Sequence, residues 1–237
     1  MLLMAVALSK YNGEGVMTQN QYELVIGNKN YSSWSLRPWL LMTRFAIPFD
    51  EFHVNLRGER RQEELDANSP SALVPALRHN GLNVWDSLAI IEYLADQHGE
   101  LPIWPGETQA KAIARSVASE MHSRFFNLRN EMPMDFARMI PTDDISEGVE
   151  KDIRRIVAIW HLCRSQYGSG GEFLFGGFSA ADAMYAPVAS RLRSYGVDLA
   201  QFGDDGYGSE YIQAIFEMPE IALWGKASQL EIGSETS

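Results

Sequence analysis

The sequence predicts an α/β domain joined to an all-helical domain. Two contrasting patterns and the break between them carry that reading. Between Tyr22 and Gly99, short β-rich runs alternate with helix-forming ones. From Thr108 onward nearly every segment has helical spacing. The stretch "ELPIWPGE", Glu100 to Glu107, carries two prolines and a glycine and reads as the linker. The expected division is an extension over 1–20, an α/β domain over 21–99, a linker over 100–107 and a helical domain over 108–237.

Each element has its own signal. "YELVIGN" is β-rich and alternating, so it reads as a strand. "SLRPWLLMTRFA" has helical spacing, with Pro38 assigned to a first turn, where its missing N–H costs nothing. "FDEFHVNL" reads as a second strand, and "ERRQEELDAN" as a charged helix stopped by Asn68. "VPALRHNGLNVW" holds two short strands around Asn80-Gly81, a strong hairpin signal. "DSLAIIEYLADQHG" is an amphipathic helix with Ser87 as the expected N-cap and Gly99 as its stop. In the second half, "TQAKAIARSVASEMHSRFFNLRNEM" reads as one long helix and "SEGVEKDIRRIVAIWHLCRSQY" as another. "FSAADAMYAPVASRLRSYG" is a third, and "SEYIQAIFEMPEIALW" supplies more.

Composition narrows the function classes. The net charge of −11 sets up a field that repels phosphate backbones, which argues against a broad nucleic-acid surface. A lone cysteine, Cys163, permits no disulfide within the chain and fits a reducing, cytoplasmic setting. No run approaches the roughly 18 apolar residues of a membrane span. "MLLMAVAL" is short and has no basic residue before it, so a poorly ordered extension is expected rather than a secretory signal. Histidines have no metal-ligand spacing around them, so no metal is expected. Asn30 opens a formal glycosylation sequon, "NYS", set aside in a reducing compartment.

Four short motifs bear on chemistry. Val74-Pro75 stands just before a strand. In trans it simply ends a loop; in cis it would turn the Val74 N–H and C=O towards an open edge, where an extended peptide could pair. Asp86-Ser87 at a helix start can be plain capping. The same pair could also hold an α-amino acid head group, with Ser87 and the helix N–H groups on the carboxylate and Asp86 on the ammonium. Ser179 and Asp182 form a capping box that starts a buried helix. Finally, "NKNYSSWSLRPWLLM" puts Ser32, Ser33 and Ser35 between a strand and a helix, more hydroxyls than one cap requires. A hydroxyl at a helix N-terminus can donate to an anion such as a thiolate. Lowering a thiol by about two units takes roughly 2.7 kcal/mol, within reach of one charge-assisted hydrogen bond plus the helix dipole.

Taken in order, these motifs resemble the soluble glutathione transferase family over roughly residues 22–225. "YSSWSLRPW" is similar to the serine-type "SSCSWRVR" of the zeta class, and "SPSALVP" to the family's "NPxxxVP", with Ser69 in place of asparagine. The resemblance implies a thioredoxin-like N-terminal domain, a helical C-terminal domain, glutathione as co-substrate and a homodimer. It implies that Ser32 activates the glutathione thiol, with Ser33 beside it and Ser35 at the helix start. Val74 and Pro75 would pair with the cysteinyl backbone, and Asp86 and Ser87 would take the γ-glutamyl group. Arg57, Arg60 and Arg61 are the candidates for the glycyl carboxylate, or else a solvated helix face. The second-substrate pocket would draw on Trp34, Met121, His122, Phe125 and Arg129, several of which also fit a helix core. Trp34 stands where the zeta pattern has cysteine, which weakens an assignment as maleylacetoacetate isomerase. Cys163 has apolar neighbours and reads as core filler. The leading expectation is a glutathione transferase conjugating a small electrophile. The alternatives are glutathione-dependent isomerisation or reductive removal on an acidic substrate, and a non-catalytic binding or regulatory module.

Overall fold

The computed structural model describes residues 21–235, so the 1–20 extension lies outside the described residues. The α/β half contains β1 (Tyr22–Ile26), α1 (Ser33–Arg44), β2 (Phe49–His53), α2 (Arg61–Asn68), β3 (Ala76–His79), β4 (Leu82–Trp85) and α3 (Ser87–Gln97). The sheet order is β2-β1-β3-β4. β1 pairs parallel with β2, which the α1 crossover permits, and antiparallel with β3. β3 and β4 form the hairpin across Asn80 and Gly81, whose φ values of 50° and 80° suit the expected tight turn. This is a thioredoxin-like arrangement.

The alternation of β1 sorts its side chains onto two faces. Tyr22, Leu24 and Ile26 join the main core with α1 and α3, while Val25 packs with Val54, Leu65 and Ala76 in a smaller cluster that includes α2. The second half holds α4 (Thr108–Ser123), α5 (Phe126–Glu131), α6 (Glu147–Tyr167), α7 (Ala180–Ser194), a short 3-10 helix (Leu199–Phe202), α8 (Tyr207–Glu217) and α9 (Pro219–Glu235). Its core is continuous with that of the first half, from Tyr22 through Trp160 to Trp224. Trp39 of α1 meets Trp224 of α9 edge-on at 4.9 Å between ring centroids. Among the described residues no helix is long and apolar enough to cross a membrane.

Several expectations are corrected. The single helix read from Thr108 to Met132 is two, broken at Phe125, which adopts a left-handed φ of 63° and sinks into the core. The break leaves α4's last carbonyls without amide partners, and Arg129 supplies donors by bonding the Met121 and His122 carbonyls. Asp86, not Ser87, is the N-cap of α3, since its Oδ1 accepts from the Leu88 and Ala89 amides at 2.9 and 3.2 Å. Ser32, not Ser35, heads α1. Pro38 lies in the second turn of α1, where its missing N–H leaves the Trp34 carbonyl without its helical donor.

Candidate functional site

The site begins in the turn between β1 and α1. Asn30 is fully buried and stitched to the helical half: its Nδ2 donates to Asp135 and its Oδ1 accepts from the Ala137 amide, both at 2.8 Å. With both ends of the amide occupied, the "NYS" sequon is closed to modification. The Lys29 and Asn30 amides donate to the Glu231 carboxylate of α9 at 2.8 and 2.9 Å. Glu51 gathers Lys29, His53 and the Trp39 indole. Burial alone would raise its carboxyl, but hydrogen bonds from His53, Lys29 and Trp39 outweigh it and hold the pKa at about 2.

The serines of this turn have distinct partners. Ser32 Oγ accepts from the Ser35 amide at 3.4 Å and donates to Ser35 Oγ at 2.7 Å. Ser35 Oγ in turn accepts from the Gly27 amide at 3.1 Å. Ser33 Oγ accepts from Arg191 of α7 at 3.1 Å. Behind them lie three guanidiniums. Arg37 is buried and bonds the Met184 carbonyl at 3.1 Å, but its Nη1 is orphaned. Its pKa is pushed well down by burial and by the neighbouring Arg191 and Arg129 charges. Arg37 and Arg129 flank the Trp34 ring at 3.9 and 4.9 Å from its centroid.

Two adjoining cavities run from this turn to the start of α3. One, of about 320 Å³, is walled by Tyr31, Ser32, Ser33, Arg61 and Leu65. The other, of about 530 Å³, is walled by Ser71, Pro75, Asp86, Ser87 and His122. Trp34, Leu73 and Val74 belong to both, so they form one cleft. The Val74-Pro75 peptide is cis. Asp86 has a φ of 74°, unusual for a residue with a Cβ, and its Oδ2 pairs with His122 Nε2 at 2.6 Å. The Ser87 hydroxyl is orphaned: the residue is 1% exposed, and its oxygen has no partner among the described residues.

Residues 31–97 match the family model of the glutathione S-transferase N-terminal domain. A maleylacetoacetate isomerase from Dictyostelium discoideum is 27% identical over 54% of this chain and 59% of that protein. The rat enzyme of the same name is 26% identical over 72% of this chain and 79% of its own length. A glutathione transferase homologue from Burkholderia GL BGR1, solved with bound glutathione, superimposes with a TM-score of 0.65 over 88% of this chain and 98% of that one, at 17% identity. The chain is similar to glutathione S-transferases in sequence over residues 31–97 and in fold over most of its length.

Within this transferase-family fold, Ser32, Ser33, Trp34, Val74, Pro75, Asp86, Ser87 and His122 are brought to one cleft. Others are placed elsewhere. Met121 and Phe125 are core residues and line neither cavity. Arg129 lies half-buried between Trp34 and Phe126. Arg57 stacks on the Tyr31 ring at 3.6 Å, and Arg60 pairs with Glu63 on the surface at 3.0 Å. Arg61, at the head of α2, reaches the cavity wall. Cys163 is inert, its thiol pushed up to about 12 by burial and then by Asp182. Among the described residues no three metal-ligating side chains converge. Sequence reasoning missed Arg37 and Arg191. The signal present was a cation inside an apolar helical run, in "SLRPWLL" and "PVASRLRS".

Proposed function

We propose that this chain binds glutathione along the cleft and conjugates its thiol to a small electrophile. The orphaned Ser87 hydroxyl carries the reading. A buried hydroxyl with no partner costs about 1–3 kcal/mol, a cost that a ligand acceptor removes. Its place at the positive end of α3 suits a carboxylate. Asp86 sits beside it, and an ionised carboxylate can accept from an ammonium as well as from His122. One carboxylate and one ammonium side by side are the γ-glutamyl head of glutathione. From there the cleft passes Val74 and Pro75 to Ser32 and Ser33, so an extended tripeptide would deliver its thiol to the hydroxyl-rich turn. A hydroxyl donating to the sulfur stabilises the thiolate. The sulfur electron pair then forms the new bond to the electrophilic carbon, and the electrophile releases its leaving group or takes up a proton. Trp34 and His122 line the space for that second substrate.

Isomerisation of an acidic substrate is the second reading. It is favoured by the relatives named as maleylacetoacetate isomerases and by the positive charge of Arg37 and Arg129 around Trp34. The likeness to glutathione transferases and the lone, buried cysteine support a cytoplasmic homodimer.

The test is calorimetry with glutathione, followed by a glutathione-dependent activity screen over haloaromatics, epoxides, hydroperoxides and maleyl acids. Binding together with turnover of a haloaromatic or epoxide is expected. Turnover of maleyl acids alone would move the assignment to the isomerase, and no binding at millimolar glutathione would leave a non-catalytic module.

A further inference from the structure

The two serines at the head of α1 differ in what they can offer a ligand. Ser32 is internally committed, because its hydroxyl proton goes to Ser35 Oγ and its oxygen accepts the Ser35 amide. Ser33 has the opposite arrangement. Its oxygen accepts from the Arg191 guanidinium, and its own proton finds no acceptor among the described residues. Both serines line the same cavity.

Arg191 is built to hold that hydroxyl. It is buried, and its Nε and Nη1 donate to the carbonyls of Met132 and Pro187, at 3.0 and 3.2 Å. No carboxylate forms an ion pair with Arg191, Arg37 or Arg129 among the described residues. Burial, and then the Arg129 charge, lowers the Arg191 pKa to about 10, and Arg37 repels it as well. A guanidinium bonded to a hydroxyl oxygen draws electron density from it and strengthens the donor on the far side, as in any hydrogen-bonded chain of low local dielectric. An anion accepting from Ser33 would therefore sit at the end of a short relay that begins on a buried cation.

We propose that Ser33 is the hydroxyl that donates to the bound thiolate and that Arg191 is its positioning residue, while Ser32 serves as the helix cap. The proposal rests on glutathione being the ligand. It goes beyond that reading by separating two adjacent serines and by giving a role to an arginine of the helical half.

The experiment follows the thiolate absorbance of bound glutathione against pH, with calorimetric affinity alongside, in the full-length protein. Ser33→Ala is expected to raise the bound thiol by about one to two pKa units, the worth of one hydrogen bond to a charged group, with affinity changed less than threefold at acid pH, where the bound thiol is protonated. Ser33→Thr should restore the wild-type value. Arg191→Lys should give a smaller rise, and none at all when combined with Ser33→Ala. Should Arg191→Lys fail to fold, Arg191→Gln with the same readout replaces it. If Ser32→Ala produces the rise and Ser33→Ala does not, the assignment is overturned. It is equally overturned if the arginine substitution shifts the thiol as much without the Ser33 hydroxyl as with it. Wild-type protein that binds no glutathione would instead overturn the functional reading on which the proposal stands.

Discussion

The starts of α7 and α3 are built from the same parts, an acidic residue and a serine at a helix N-terminus, and are used in opposite ways. At α7 the chemistry is closed. Asp182 Oδ2 accepts from the Ser179 amide and hydroxyl at 2.8 and 2.9 Å, and its Oδ1 from the Leu174 amide at 3.0 Å. At α3 it is open. Asp86 caps the helix with one oxygen, and Ser87 holds a buried hydroxyl that bonds nothing among the described residues. A satisfied polar cluster belongs to the fold, and an unsatisfied one beside a cavity points to a ligand. The start of α1 lies between the two: it is capped by Ser32 but carries a hydroxyl proton to spare on Ser33.

That contrast can be broken at four places. Asp182→Ala should have the largest effect, since it strands three buried donors. A loss of at least about 3 kcal/mol is expected in denaturant unfolding. Ser87→Ala should do the reverse. Stability should change by less than about 0.5 kcal/mol or rise, because a group already unsatisfied is removed, while glutathione affinity falls about tenfold or more. An equal loss of stability in both variants would erase the distinction drawn between the two helix starts.

The third test is the Glu51 cluster that anchors the turn before α1. The Glu51 carboxyl is held at about 2, below its ordinary value of 4.5. Its contribution is therefore complete above about pH 4.5 and is lost as pH falls towards 2. With a quarter of the side chain exposed, about 1–2 kcal/mol is expected over that window. Thermal unfolding of wild type and Glu51→Gln across pH 2–6 should converge at the acid end. The fourth test is Ser32→Ala, with a loss of about 1 kcal/mol expected from the lost cap, read by the same unfolding measurement.

Most of the α/β half was legible in the sequence because its signals are local. Asn80-Gly81 named its own hairpin, and the alternation of "YELVI" named its strand. The helix break at Phe125 was not legible. Nothing in "SRFFNL" marks a left-handed residue, and the burial of Phe125 that the break permits depends on helices distant in the chain. The same limit governs the site. Ser32, Val74 and Asp86-Ser87 were readable as motifs. That Ser87 would be orphaned, and that Arg191 would reach Ser33 from 158 residues away, are facts of packing. Arg60 shows the converse. Its sequence neighbourhood suggested a ligand, but an i,i+3 partner at Glu63 takes its guanidinium on the surface. Met121 and Phe125 have the side chains of an apolar pocket and are spent on the core.

The Glu231 carboxylate of α9 holds the turn where the cleft begins. It receives the Lys29 and Asn30 amides from 202 and 201 residues away, while Asn30 is joined to residues 135–137. The turn bearing the serines is thus completed by helix α9 and by the loop after α5. The two halves are consequently not interchangeable modules. A chimera that grafts the first half onto a relative's helical half would have to carry over an acceptor equivalent to Glu231 and a partner for Asn30. Without them, two main-chain amides and one buried side-chain amide would need new acceptors just where the cleft begins.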